Sequence, residues 1–258
     1  MDNEKDNGEP QRESRQNISW WPSPPKRDKR RVMPSTAIIF DLDGTLIHSA
    51  PDLHAAMNKT LVALGREELD LKTIIAFIGN GVEKLVARSL AATGPSTPEL
   101  QHKTLIQFLE IYEARSLVQT RPYPGVITLL EKLRNKGIPL AICTNKPAKP
   151  ARDICDALGL TVFFDVIVGA DPDRPKKPDP ASLLTCISAL GATPAEALYI
   201  GDSAVDGLTA RNAIVPFVFF EGGYLNEPLP EPGPIHRFAN WSDHVLFKLC
   251  CYGSNGSG

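Results

Sequence analysis

Two short runs of the 258-residue chain carry paired acids at spacings that concentrate charge. In Phe40-Asp41-Leu42-Asp43-Gly44-Thr45 an apolar run ends in two carboxylates, a glycine and a hydroxyl. Side chains two apart on an extended backbone face the same way, so Asp41 and Asp43 are expected on one side while Leu42 points elsewhere. Two carboxylates sharing a small space require a cation, or a proton on one of them, and either arrangement is a chemical site. The same residue types also make an ordinary strand end followed by a turn. The second run is Gly201-Asp202-Ser203-Ala204-Val205-Asp206, again after an apolar stretch. A magnesium site needs one or two carboxylates plus water and phosphate oxygens, which acids from two strand ends would supply. Asp202 is placed for metal. Asp206 lies three residues after Ser203, as in a capping box, and an acid in a first helical turn is favourable without any ion, so both readings stand for it.

Two further runs supply what a phosphate needs. Thr144, Asn145 and Lys146 offer a hydroxyl, an amide and helix-start N–H groups suited to phosphoryl oxygens. Lys176, Lys177, Pro178, Asp179 and Pro180 set cations in a proline-stiffened loop, where an ammonium would neutralise a phosphoryl group and its transition-state charge. Singly these are a helix cap and a surface lysine; at one sheet edge with the acids they form a phosphate site.

Those residues act together only if several apolar runs end at one edge. Ala37 to Phe40, Pro139 to Cys143, Phe164 to Val168, Ala197 to Ile200 and Pro216 to Phe220 each read as a buried strand. From the second onward they alternate with helical stripes: Val126, Leu129, Leu130 and Leu133 before Gly137; Ile154, Ala157 and Leu158 before Gly159; Leu183, Leu184, Ile187 and Leu190 before Gly191. The alternation predicts an α/β fold, a Rossmann-like parallel sheet with helices on both faces. Between the first and second strands the pattern is wholly helical. Leu53, Met57, Leu61 and Leu64 make one stripe, Val82, Leu85, Val86 and Ser89 another, and Thr97 with Pro98 opens a third through Leu100, Phe108 and Ile111. We expect an all-helical cap over residues 51–121, inserted into a core of residues 36–50 and 122–249. It would sit above the strand ends where open α/β sheets bind ligands. From Glu221 on, the chain reads as an irregular closing segment and a short helix near Val245 to Leu249.

Net charge is only -2, and no stretch approaches ~18 consecutive apolar residues. Without a secretory apolar core near the N-terminus, the expectation is a cytoplasmic protein with no membrane partner. Five cysteines, without zinc-type spacing, argue against a disulfide framework. Residues 1–35 read as a disordered extension whose basic run, Lys26 to Arg31, is a solvated tail rather than a nucleic-acid contact; Trp20 and Trp21 leave a docking role open. Residues 250–258 read as a flexible tail.

The four motifs, DLDGT at Asp41 to Thr45, TN at Thr144 and Asn145, KPDP at Lys177 to Pro180 and GDSAVD at Gly201 to Asp206, resemble in order those of the haloacid dehalogenase superfamily of phosphatases. The likeness spans about residues 36–249. Within that superfamily, DLDGTLIHSAPDL, FIGNGVEKLV and the GDS segment resemble the phosphoglycolate phosphatases, with the insertion matching their helical cap. The resemblance implies Asp41 as nucleophile and Asp43 as general acid and base. It implies Mg2+ held by Asp41, the backbone carbonyl of Asp43, and Asp202, with Asp206 in support, and a phosphoryl group held by Thr144, Asn145 and Lys177. The partner would be a small phosphorylated metabolite, 2-phosphoglycolate first, bound by a monomer or homodimer. The N-terminal extension departs from the compact family pattern, and His48 stands where relatives often carry an acid. Alternatives are a phosphatase for a sugar phosphate or pyrophosphate, a phosphomutase, or a non-catalytic protein using its basic arm. Gly79, Asn80 and Gly81 are candidate donors to an anionic substrate, while Lys84 and Arg88 are expected in solvent.

Overall fold

A computed structural model describes residues 37–114 and 117–252; the N-terminal extension with Trp20, Trp21 and the basic run lies outside them, as do residues 253–258. The fully buried run AIIF forms β1 (Ala37–Phe40). The chain continues through β2 (Ile47–His48), α1 (Ala50–Ala63), α2 (Leu71–Ile75), α3 (Val82–Thr93), α4 (Pro98–Glu113) and β3 (Arg121–Pro122). It re-enters the core through α5 (Val126–Asn135) and β4 (Leu140–Pro147), then alternates: α6 (Ala148–Ala157), β5 (Val166–Ala170), α7 (Ala181–Ala189), β6 (Ala197–Gly201), α8 (Ala204–Ala213), β7 (Phe217–Phe220). β8 (His236–Phe238) and α9 (His244–Tyr252) close it. Six strands make one parallel sheet in the order β5-β4-β1-β6-β7-β8, so β1, with Asp41 at its end, lies inside the sheet beside β4 and β6.

The two-residue period of the strands sorts the core into two layers. Ile38 and Phe40, Leu140 and Ile142, Leu198 and Ile200 join one cluster, with α5, α6, α9 and the helical insertion. Their neighbours Ala37 and Ile39, Ala141 and Cys143, Ala197 and Tyr199 join the other, with α7 and α8. Both faces are covered, which is why these strands read as unbroken apolar runs. All five cysteines are free.

The insertion packs its own stripes inward. Leu53, Met57 and Leu61 of α1, Leu85, Val86 and Ser89 of α3 and Phe108 of α4 are buried. Thr97 caps α4 by accepting from the Leu100 N–H, as its position before Pro98 suggests. Two features clamp the ends of the insertion: β2 and β3 pair antiparallel, and buried Asp52 accepts from the N–H groups of Gln119 and Thr120 and from the Thr120 hydroxyl.

The structure differs from the sequence expectations in four elements. β4 runs on to Pro147, so Thr144 and Asn145 lie on an extended strand rather than at a helix start; α6 begins only at Ala148. β5 begins at Val166, because Thr161–Phe163 forms a 3₁₀ turn first. β8 adds a sixth strand within the segment expected to be irregular. α9 carries buried Cys250 and runs to Tyr252, inside the stretch read as a tail. No helix of the described residues is long and apolar enough to cross a membrane.

Candidate active site

Strand parity aims Asp41 at the same layer as Ile39, and there it meets Lys177, delivered by the loop between β5 and α7. Lys177 Nζ donates to Asp41 Oδ1 at 2.8 Å, to Asp206 Oδ1 at 2.7 Å and to the Tyr199 hydroxyl at 2.9 Å, so its three N–H bonds are all used. Asn145 fixes that loop: its Oδ1 accepts from the Lys177 N–H and its Nδ2 donates to the Lys177 carbonyl, and to Gly79 of the insertion. The Asn145 side-chain amide is thus a brace rather than a donor free for an anion.

Parity ends at Asp41. The chain turns at Gly44, whose φ is +88° and whose Cβ, if present, would overlap Asp202 Oδ2. Asp43 therefore faces a second lysine: Lys146 Nζ lies 3.1 Å from Asp43 Oδ2, and the Ser49 hydroxyl donates to Oδ1 at 2.6 Å. Lys146 also donates to the hydroxyl of Tyr112 on α4, at 2.8 Å. The two acids reach one cleft, as their spacing suggested, but each with its own cation.

Asp202 follows β6 beside Asp41. It accepts from the Thr45 hydroxyl at 2.6 Å and from the Tyr224 N–H at 2.6 Å. Asp206 fulfils the capping reading, its Oδ2 closing the capping box with Ser203, while its Oδ1 takes Lys177 and Tyr199 rather than standing free to support a metal. A carboxylate has about four acceptor positions, and those of Asp206 are occupied.

One oxygen from each of Asp41, Asp202 and Asp206 lies within 4.8 Å of the others. Two buried lysines meet four carboxylates here, leaving two negative charges without a cationic partner, the complement of one divalent ion. The acids register that shortage. Burial first, then Asp206, pushes Asp41 up to about 7 although Lys177 opposes the shift; burial, then Asp206 and Asp41, raises Asp202 well above the carboxylate range. Burial works against the charge of Lys177 and is outweighed by Asp206 and Asp41, which hold its pKa above 10.5. The residues present fit a hard, oxygen-liganded cation.

The cleft is floored by Asp41, Asp43, Thr144, Asn145 and Lys146 and roofed by the insertion: Leu53, Ile78, Gly79, Gly81, Val82 and Leu85. Gly79 and Gly81 line it as expected and Asn80 does not; Lys84 is exposed, Arg88 is half-buried, and neither reaches it. Sequence reasoning assigned Lys146 only an N–H role, and it passed over Tyr199, which reads as one more strand residue.

The family model described as haloacid dehalogenase-like hydrolase matches residues 38–220, and the chain belongs to that family. A phosphoglycolate phosphatase of Cereibacter sphaeroides is 44% identical over 193 residues, 74% of this chain and 88% of that protein. Another, from Rhodospirillum rubrum, is 40% identical over 211 residues, 80% of this chain and 88% of that one. A crystal structure of a predicted phosphoglycolate phosphatase from Haemophilus somnus superposes with a TM-score of 0.78 at 29% identity, covering 83% of this chain and 98% of that one. Within the family, then, the chain is an enzyme, a phosphatase resembling the phosphoglycolate phosphatases.

Proposed function

We propose that the enzyme hydrolyses 2-phosphoglycolate to glycolate and orthophosphate through a phosphorylated Asp41. The observation that carries the reading is the convergence on Asp41, at the floor of a small cleft, of Asp202 and Lys177 from two other stretches of chain. The names of the relatives support the choice of substrate.

In the first step an Asp41 oxygen bonds to phosphorus as the bond to the ester oxygen breaks, and Asp43 gives that oxygen its proton. In the second, Asp43 takes a proton from water as the water attacks phosphorus and Asp41 is released. Thr144, the backbone N–H of Asn145 and Lys177 hold the phosphoryl oxygens, Lys177 exchanging its bond to Asp41 Oδ1 for one to the phosphoryl group. Asp206 positions Lys177, and Asn145 fixes its loop. Asp41, Asp202 and the Asp43 carbonyl would hold Mg2+, which when bound supplies charge withdrawal from the phosphoryl oxygens.

An orthophosphate-release screen with and without Mg2+ tests this, using 2-phosphoglycolate, sugar phosphates and pyrophosphate. Metal-dependent release, fastest with 2-phosphoglycolate, is expected. A faster sugar phosphate would replace the substrate, an isomer without orthophosphate would indicate a mutase, and no turnover of any ester would remove the reading.

A further inference from the structure

Resting on that phosphatase reading, we propose that Lys146 is the specificity-determining residue, pairing with a carboxylate on the carbon next to the ester oxygen of the substrate. Among the described residues lining the cleft, Lys146 is the one cation. Lys177 is not part of that lining, sits against Asp41, Asp206 and Tyr199, and in the proposed reaction serves the phosphoryl group. The roof offers the apolar side chains of Leu53, Ile78, Val82 and Leu85 and no charge. An anionic leaving group entering such a cleft must find its counter-charge on the floor, since a buried unpaired carboxylate is costly.

Position agrees with charge. If Asp43 serves the ester oxygen, the next cation along is Lys146 Nζ, 3.1 Å from the Asp43 carboxylate. In a glycolate leaving group the carboxylate carbon is two bonds from the ester oxygen, so a substrate that places one on Asp43 places the other beside Lys146. Its ammonium is also held from the insertion side, where Tyr112 accepts from it and the ring lies 4.7 Å away. Core and insertion thus fix the ammonium together, which prepares it for a group of defined reach.

The rival explanation is that Lys146 only holds Asp43. The two are separated by comparing 2-phosphoglycolate with ethyl phosphate, in which a methyl replaces the carboxylate, in wild type, Lys146→Met and Lys146→Gln. The glutamine variant keeps a polar end beside Asp43 and Tyr112 if the methionine variant does not fold. Loss of a charged hydrogen bond should reduce the preference in kcat/KM for 2-phosphoglycolate by about tenfold to a hundredfold. Competitive inhibition by glycolate should weaken in parallel. If both esters slow equally and the preference persists, Lys146 merely holds Asp43 and the proposal is overturned. A wild type that hydrolyses both esters with equal efficiency also overturns it while leaving the phosphatase reading in place. A wild type that hydrolyses neither removes the reading and the proposal together.

Discussion

Asp41 and Asp43 stand two positions apart and meet different lysines, and that separation lets one be removed without disarming the other. Asp41→Asn should abolish multiple turnover, because an amide is a poor nucleophile towards phosphorus, while Asp202 and Lys177 stay in place. With Asp43 as the proposed general acid and base, Asp43→Asn should cost about 10²–10⁴-fold. It should slow release of the phosphoryl group enough for a phosphoenzyme to be trapped, visible by mass spectrometry after a substrate pulse. Wild-type turnover in Asp41→Asn, or in Asp43→Asn, would reassign the residue concerned. Both acids were legible in the sequence because DLDGT combines spacing, turn chemistry and a preceding apolar run. Tyr199 was not: a tyrosine in a buried strand is ordinary, and only the fold places its hydroxyl between Lys177 and Asp206. Lys146 was read only for its backbone, because a sequence does not say which neighbouring acid an ammonium will reach.

The turn after β1 is where an element determines the site. Gly44 and Gly65 both have positive φ, +88° and +69°, yet a methyl at Gly65 meets nothing within 4 Å whereas one at Gly44 would overlap Asp202 and come within 2.7 Å of Tyr224. Gly65→Ala should cost only the left-handed backbone penalty, about 1–2 kcal/mol. Gly44→Ala should cost clearly more, with Asp202 displaced and Mg2+ affinity reduced. Urea denaturation of the two variants checks the comparison; equal losses would mean that the turn tolerates the side chain. The same contrast explains which elements could be read from sequence. Strands buried on both faces announced themselves as apolar runs, and glycines marked the ends of helices. β8, with His236 and Arg237 among its three residues, has no such run, and it forms because β7 offers it an unpaired edge. β4 outlasts its apolar segment because Asn145 and Lys146 find partners for their polar ends, a tertiary effect that local pattern does not contain.

For the molecule as a whole, the acid cluster should make stability depend on metal and pH together. Without an ion, Asp41 has a folded-state pKa of about 7 against an ordinary 3.8, and Asp202 is raised as well. Between those values the folded protein holds on Asp41 a proton that the unfolded chain has released, so unfolding free energy falls as pH rises from about 4 to 7 on account of Asp41, and raised Asp202 acts in the same direction. An ion that binds the ionised acids must displace those protons at low pH and meets less competition from them as pH rises. Saturating Mg2+ should therefore raise the melting temperature little at pH 5 and substantially at pH 8, with stabilisation growing as RT ln(1 + [Mg2+]/Kd). Thermal melts across pH 5 to 8.5, with Mg2+ and with chelator, measure it directly. Asp202→Asn should shrink the metal-dependent shift at pH 8, because it removes one acid of the cluster. A shift that is the same at every pH, or that survives in Asp202→Asn unchanged, would place the ion elsewhere on the protein.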